Sequence, residues 1–402
     1  MDDETICVTK PPVAFDGFDS LAAPVCRAST IPFSDAEAYS ARFERGDDGY
    51  VYGLYGTPTH RYLEKKITAL ERGQRTVLVP SGQAAVALAM LSVLETGDGV
   101  LIPDTVYPPV RDFAERDLRK IGIRPLFYDP QNEDALAELV TRDTRLVWIE
   151  SPGSTTMEFQ DVSRIAEIAH GKGALVGCDN TWATPLLFKP LAHGADLSVE
   201  ALSKYIAGHS DVLMGSITVR DPALGSAIKA SLGRMGVGVS PDDCYLVLRG
   251  LETLSVRLKR SAEVAHALAK WIAGHPLVER VLHPALETCP GNAFWSRDFG
   301  GASGVFSVVP KAETVPQVHA ALDALDTFVI GASWGGTKSL LVPMAIKQHR
   351  TAAPWSGPDM VLRLSIGLES EALLKQDLER FLTVLEDRTR DAANASEQAI
   401  GG

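Results

Sequence analysis

From about Arg75 onward the chain alternates short apolar runs with stretches in which apolar residues recur every three or four positions. The runs Thr76–Val79, Val100–Ile102, Leu146–Ile149, Ala174–Cys178, Leu197–Val199 and Leu213–Val219 predict strands. Helical spacing over Ala84–Leu94 and Val162–His170 predicts connections that cross over between them. Strands joined through helices pair in parallel, so the pattern predicts an α/β fold with βαβ units and a mostly parallel sheet. Ligands of such sheets bind beyond the carboxyl ends of the strands, and chemistry is expected there.

The flanks read differently. Residues Met1–Gly49 are rich in Pro, Asp and Ser, with little periodicity, and predict an extended arm carrying a short helix around Ser34–Arg45. After the strands comes a long helical stretch, Asp242–His275. Strand-like Gly304–Val309, a helix over Val315–Leu325, strand-like Val361–Ile366 and a helix from Glu371 to about Asp387 follow it. That order predicts a smaller C-terminal α/β domain. The polar tail Asp391–Gly402 predicts disorder. The expected division is an arm over 1–56, a large domain over 57–250 and a small domain over 251–402.

Composition narrows the function classes. Hydrophobic residues make up 45% of the 402 positions and charged residues 22%, enough for a sizeable core. The net charge of −12 is diffuse and repels phosphate backbones, so a nucleic-acid partner is not expected. No apolar run approaches the ~20 residues that cross a bilayer. The start MDDETICVTK lacks the basic-then-apolar order of a secretory signal, and the expected location is the cytoplasm. The five cysteines are scattered with no C-x-x-C pair, which predicts neither a disulfide framework nor a metal site.

Three segments carry candidate chemistry. In TVLVP-SGQAAVALAM (Thr76–Met90) a strand meets a helix through Ser81-Gly82-Gln83. The free N–H groups and positive dipole there suit a phosphate, although such a turn also serves simply as a turn. In ALVGCDNTW (Ala174–Trp182), Asp179 stands at a strand end, where it either closes an Asx-turn or pairs with a cation such as a pyridinium nitrogen. In VEALSKYIAGHSD, Lys204 sits among small residues just past a strand end. A lysine desolvated in such a pocket is an amine nucleophile; on a surface loop it is only a solvated charge.

Taken in order with their neighbours, these segments resemble the Cys/Met-metabolism pyridoxal-phosphate enzymes. The resemblance runs from about Tyr50 to Glu369. It rests on YGLYGTPT (Tyr52–Thr59), VPSGQAAV, ESPGSTTME (Glu150–Glu158), DNTWATP (Asp179–Pro185), SKYIAGHSD (Ser203–Asp211), RGLETLSVRL (Arg249–Leu258), SWGG (Ser333–Gly336) and LRLSIGLE (Leu362–Glu369). It implies the aspartate-aminotransferase-like fold, fold type I, with pyridoxal 5'-phosphate as cofactor.

By that resemblance Lys204 is the Schiff-base lysine and proton shuttle, Asp179 pairs with the pyridine nitrogen, and Tyr107 stacks on the ring and serves as a proton donor. Gly82, Gln83 and Ser203 hold the phosphate, while Tyr52 reaches the phosphate of a neighbouring subunit. The site is therefore expected to need a homodimer, and the assembly to be a homotetramer. Arg363 is expected to clamp the substrate α-carboxylate, assisted by Ser333, with Trp334 lining the pocket. Tyr245 is either a pocket tyrosine or a core tyrosine. Two positions depart from the family: Leu54 replaces an arginine that grips the phosphate across subunits, and Ala201 replaces a hydroxyl residue.

The implied activity is that of a carbon–sulfur lyase acting on a sulfur-containing amino acid, of the β-lyase branch of trans-sulfuration that serves methionine biosynthesis. That branch performs α,β-elimination on cystathionine. Other cysteine S-conjugates, γ-acting or racemising chemistry, and a catalytically silent scaffold are the alternatives.

Overall fold

A seven-stranded sheet in the order β1-β7-β6-β5-β4-β2-β3 organises the larger part of the molecule. The computed structural model describes Gly17 and Ser20–Ile400; most of the predicted arm's first nineteen residues lie outside the described residues. The strands are β1 (Arg75–Val79), β2 (Gly99–Pro103), β3 (Arg124–Tyr128), β4 (Thr144–Glu150), β5 (Leu175–Asp179), β6 (Leu197–Glu200) and β7 (Gly215–Val219). Only β7 runs against its neighbours, so the carboxyl ends of six strands share one edge of the sheet.

The apolar runs are continuous because both faces of this sheet are covered. Along β4, Leu146 and Trp148 enter one core cluster, and Val147 and Ile149 enter the other. Each fully buried aliphatic side chain of this kind contributes roughly 1.5–3 kcal/mol. Strand β3 escapes the sequence pattern for two reasons. It carries Pro125, and as an edge strand it alternates exposed and buried positions.

The second sheet is antiparallel, in the order β10-β11-β9-β8, from β8 (Val278–Leu282), β9 (Val305–Pro310), β10 (Leu340–Met344) and β11 (Val361–Ser365). The sequence pattern predicts β9 and β11, the two inner strands. The outer strands are short, with Glu279 and Arg280 in β8 and Pro343 in β10.

A helix over Pro241–Ile272 joins the two parts. Ser240 caps it by accepting from the Asp242 N–H, Pro241 fits its first turn, and Asp242 and Asp243 complement its dipole. Val247, Leu248, Leu254 and Leu258 pack in the large core, and Val264, Leu268 and Ile272 in the small one. The division expected after residue 250 therefore falls inside a helix, whose allegiance changes between Leu258 and Val264.

The last helix spans Glu371–Ile400, and this corrects the expected disorder of the tail up to Ile400. Ala392, Ala393 and Ala395 are strong helix formers, and no Gly or Pro intervenes before Gly401. Polarity alone was a misleading guide there. The expected arm helix is present as Ala36–Ser40, capped by Asp35, and a tighter turn over Arg42–Arg45 follows it.

Candidate active site

A cavity of about 1280 Å³ opens at the shared strand edge, between the two sheets. Its floor is made by strand ends. Asp179 and Glu150 close β5 and β4 opposite each other in register. The Asp179 side chain accepts the Thr181 N–H at 3.0 Å, so it does form the Asx-turn, yet it still lines the cavity. Burial raises the Asp179 carboxyl, while Thr181 and Lys204 pull it back. Among the described residues no cation lies within ion-pair distance of it. Burial drives the Glu150 carboxyl well above its ordinary range, and Asp179 adds like-charge repulsion. Glu150 accepts the Tyr107 N–H at 2.8 Å, which brings that half-exposed tyrosine to the cavity wall.

Lys204 follows β6 in a tight turn, its N–H donating to the Ala201 carbonyl at 3.0 Å. Arg257 holds the turn from below, donating to the carbonyls of Tyr205 at 2.7 Å and Ile206 at 3.2 Å. The Lys204 Nζ donates to Ser333 Oγ at 2.5 Å and stands 5.5 Å from the centre of the Trp334 ring. Burial, and then the Arg363 charge, lower the Lys204 ammonium to about 8; Asp179 opposes them.

The turn from β1 into the helix Gly82–Val93 forms the third side. Ser81 Oγ accepts the Ala84 N–H at 3.1 Å, and the N–H groups of Gly82 and Gln83 face no carbonyl of their own helix. Glycine is required at position 82, because a Cβ there would meet Ala201 Cβ at 2.5 Å. Gln83 leaves its Oε1 buried without a partner. Ser203 lines the cavity too, but its hydroxyl donates to the Met214 carbonyl and accepts the Met214 N–H. A phosphate contact from Ser203 competes with that pair.

The opposite wall comes from the small sheet. Arg363 on β11 is buried and donates to the Ser333 carbonyl at 3.1 Å. Burial lowers its guanidinium, and no carboxylate among the described residues pairs with it. Ser333 itself is held at φ 85, a conformation that costs a non-glycine residue of order 1–3 kcal/mol. Gly335, at φ 82, lets the same loop approach the Lys204 backbone, where a Cβ would stand 3.0 Å from the Tyr205 nitrogen.

Two expected residues lie elsewhere. Tyr245 is outside the cavity lining, since its helix turns Cys244, Val247 and Leu248 into the core and leaves Tyr245 half-buried beside them. Tyr52 is exposed, away from this chain's cavity, in an isolated bridge with Thr30. Leu54 packs on the apolar cluster that contains Leu232, against Gly238. Sequence reasoning missed Glu150 and Arg257 as individuals. Glu150 carries the same signal as Asp179, an acid closing an apolar run; Arg257 carries none. Beneath the floor, Glu71 and Glu200 are both buried; Ser198 donates to Glu71 at 3.0 Å, while the second Glu71 oxygen and both Glu200 oxygens are left unpartnered. Burial raises the Glu71 carboxyl to about 7, and burial with the neighbouring Glu71 charge raises Glu200 well above its ordinary range.

The donor set fits pyridoxal phosphate. A helix start with free N–H groups suits its phosphate, the half-buried Asp179, with no cation beside it among the described residues, suits a protonated ring nitrogen, and a lysine with a lowered ammonium suits its carbonyl. Fold and cavity thus define a pyridoxal-phosphate enzyme of fold type I. Residues 4–383 match the model of the Cys/Met metabolism PLP-dependent enzymes, and the chain belongs to that family. The cofactor is pyridoxal phosphate.

The chain is 37% identical to the cystathionine beta-lyase of Salmonella typhimurium, over 89% of this chain and 92% of that one. It is 36% identical to the L-alanine/L-glutamate racemase of Wolbachia pipientis, over 96% and 98%. The cystathionine gamma synthase of Xanthomonas oryzae pv. oryzae, solved with aminoacrylate and cysteine, superposes with a TM-score of 0.83 at 31% identity, covering 92% of this chain and 95% of that one. Family and lyase relatives together support a pyridoxal-phosphate lyase of the trans-sulfuration type. Among the described residues no helix is long and apolar enough to cross a membrane, and no cluster of His, Cys, Asp and Glu could hold a metal.

Proposed function

We propose that this enzyme cleaves cystathionine by α,β-elimination, with water consumed and homocysteine, pyruvate and ammonia released. One observation carries the reading. Lys204 Nζ and Arg363 are both hydrogen-bonded to Ser333, through its hydroxyl and its carbonyl. A substrate whose α-carboxylate is held by Arg363 therefore sets its Cα beside the lysine amine. Bound pyridoxal phosphate supplies an electron sink for the pair left at Cα when the proton departs.

Lys204 receives that proton at Nζ, a task its lowered ammonium suits near neutral pH. Asp179 would hold the proton of the ring nitrogen. Tyr107 would lie against the ring and serve as the proton donor to the departing sulfur, while Trp334 shields the amine from water. The N–H groups of Gly82 and Gln83, with Ser203, bind the phosphate. Tyr52 of a second copy completes that grip, so the working unit is a homodimer, two of which form a tetramer. Arg363, assisted by Ser333, orients the α-carboxylate through a bidentate fork.

Similarity to a cystathionine beta-lyase supports this choice over its neighbours. The test is a product assay on the cofactor-loaded enzyme with cystathionine, cystine, cysteine and methionine. Pyruvate from cystathionine, lost in Lys204→Ala, is the expected result. Formation of 2-oxobutyrate overturns the reading in favour of γ-cleavage, and racemised alanine or glutamate without pyruvate favours the racemase chemistry of the Wolbachia relative. A wild type that gains no visible absorbance with cofactor would be a silent scaffold.

A further inference from the structure

The two walls of the cavity are tied together by a loop that the catalytic reading does not use. It runs from Ile346 to Asp359, between β10 and β11, and Asp359 closes its base by accepting the N–H groups of Ile346 and Lys347 at 3.0 and 2.7 Å. Its far end reaches across to the large domain. There the fully buried Asp104 carboxylate accepts the successive N–H groups of Thr351, Ala352 and Ala353 at 2.8–2.9 Å, and the Thr351 hydroxyl at 3.0 Å. Consecutive N–H groups converging on one oxygen form an anion-holding nest. Arg111 completes the carboxylate's shell at 2.5 Å. Burial alone would raise the Asp104 carboxyl, but these N–H groups outweigh it and hold it below the usual range. Beside this grip, Arg350 donates to Glu158 at 2.5 Å and to the Thr156 hydroxyl at 2.6 Å, both acceptors being buried.

Each anchor sits next to cavity wall. Asp104 lies three residues before Tyr107, and Glu158 directly follows Met157, which lines the cavity. On the loop's own side, Val342, Pro343 and Met344 precede it, and Arg363 follows four residues after Asp359. The loop thus joins the wall bearing Tyr107 to the wall bearing Arg363.

We propose that Asp104 and Arg350 are positioning residues that strap these walls together, fix the Tyr107-to-Arg363 spacing, and so make the site select a substrate by length. This rests on the assignment of Arg363 as the carboxylate clamp. Neither strap residue touches substrate or cofactor. Asp104→Asn keeps the shape and removes the charge that three N–H groups need.

The test uses cofactor-loaded Asp104→Asn and wild type. Expected are unchanged cofactor absorbance, hydrogen exchange of the 346–359 segment about tenfold faster, and KM for cystathionine raised about tenfold with kcat within about twofold. KM for the shorter cysteine changes less. Arg350→Gln moves the same readouts in the same direction by less, and decides alone if Asp104→Asn does not fold. Faster exchange with unchanged KM, or a changed KM without faster exchange, overturns the proposal. If the wild type proves to act on another amino acid, the kinetic comparison is made on that substrate. Failure of the activity assignment and failure of the strap are then read separately.

Discussion

The floor and the far wall of the cavity are built by different physics. Asp179, Glu150 and the Lys204 turn hang from the ends of parallel strands buried on both faces, and their positions follow from backbone pairing across β4, β5 and β6. Arg363 stands on the small antiparallel sheet, and its partner Ser333 sits in a strained loop. The floor carries uncompensated charge in rigid surroundings, whereas the wall's place depends on how two domains meet. On the proposed function, Lys204 as the proton acceptor uses the first setting, and Arg363 as the carboxylate clamp uses the second.

Breaking the floor should cost most. Lys204→Ala is expected to lower kcat/KM by about 10³-fold or more and to abolish the visible absorbance of the loaded enzyme. Breaking the wall should cost less and differently. Arg363→Ala is expected to lower kcat/KM about 10²-fold, chiefly through KM, and Arg363→Lys only partly restores it because a point charge lacks the fork.

The comparison sharpens with pH. Lys204, lowered to about 8 by burial and Arg363, is a free amine above that value, so cofactor uptake by the stripped protein should accelerate as pH rises through about 8. Arg363→Ala removes one cation and should shift that rise upward.

Under the floor, burial favours the protonated forms of Glu71 and Glu200 in the folded protein. Their raised folded values mean that stability is fully present below about pH 4.5 and is lost as pH rises through about 7. Glu71→Gln should raise Tm by about a few degrees at pH 8 and flatten its decline with pH. The smallest effect concerns Leu54. Without a cross-subunit arginine, dialysis should strip the cofactor measurably from the wild type, followed by the loss of visible absorbance. A preparation that stays fully loaded would show that another residue supplies the grip.

What could be read from the chain follows the same divide. The floor was partly legible because β4 and β5 are apolar runs closed by Glu150 and Asp179, whereas Lys204, past the short β6, took its role from the resemblance. Strands β3, β8 and β10 were not legible, since edge strands need little apolar surface and tolerate Pro125 and Pro343. Ser203 is a phosphate ligand by resemblance, and nothing in the sequence signals that its hydroxyl pairs with Met214, eleven residues on. Tyr245 was open to two readings because helical period places it without saying which neighbour it meets. The grip of Asp104 on Thr351 spans 247 positions, and no local pattern announces it.

The helix Pro241–Ile272 has a mechanical consequence. A rod of 32 residues set in both cores leaves no slack tether on that side of the molecule. Any relative motion of the domains must therefore bend that rod or shift its packing in one of the cores. The same embedding couples their melting, because neither core can come apart without unseating half of the rod.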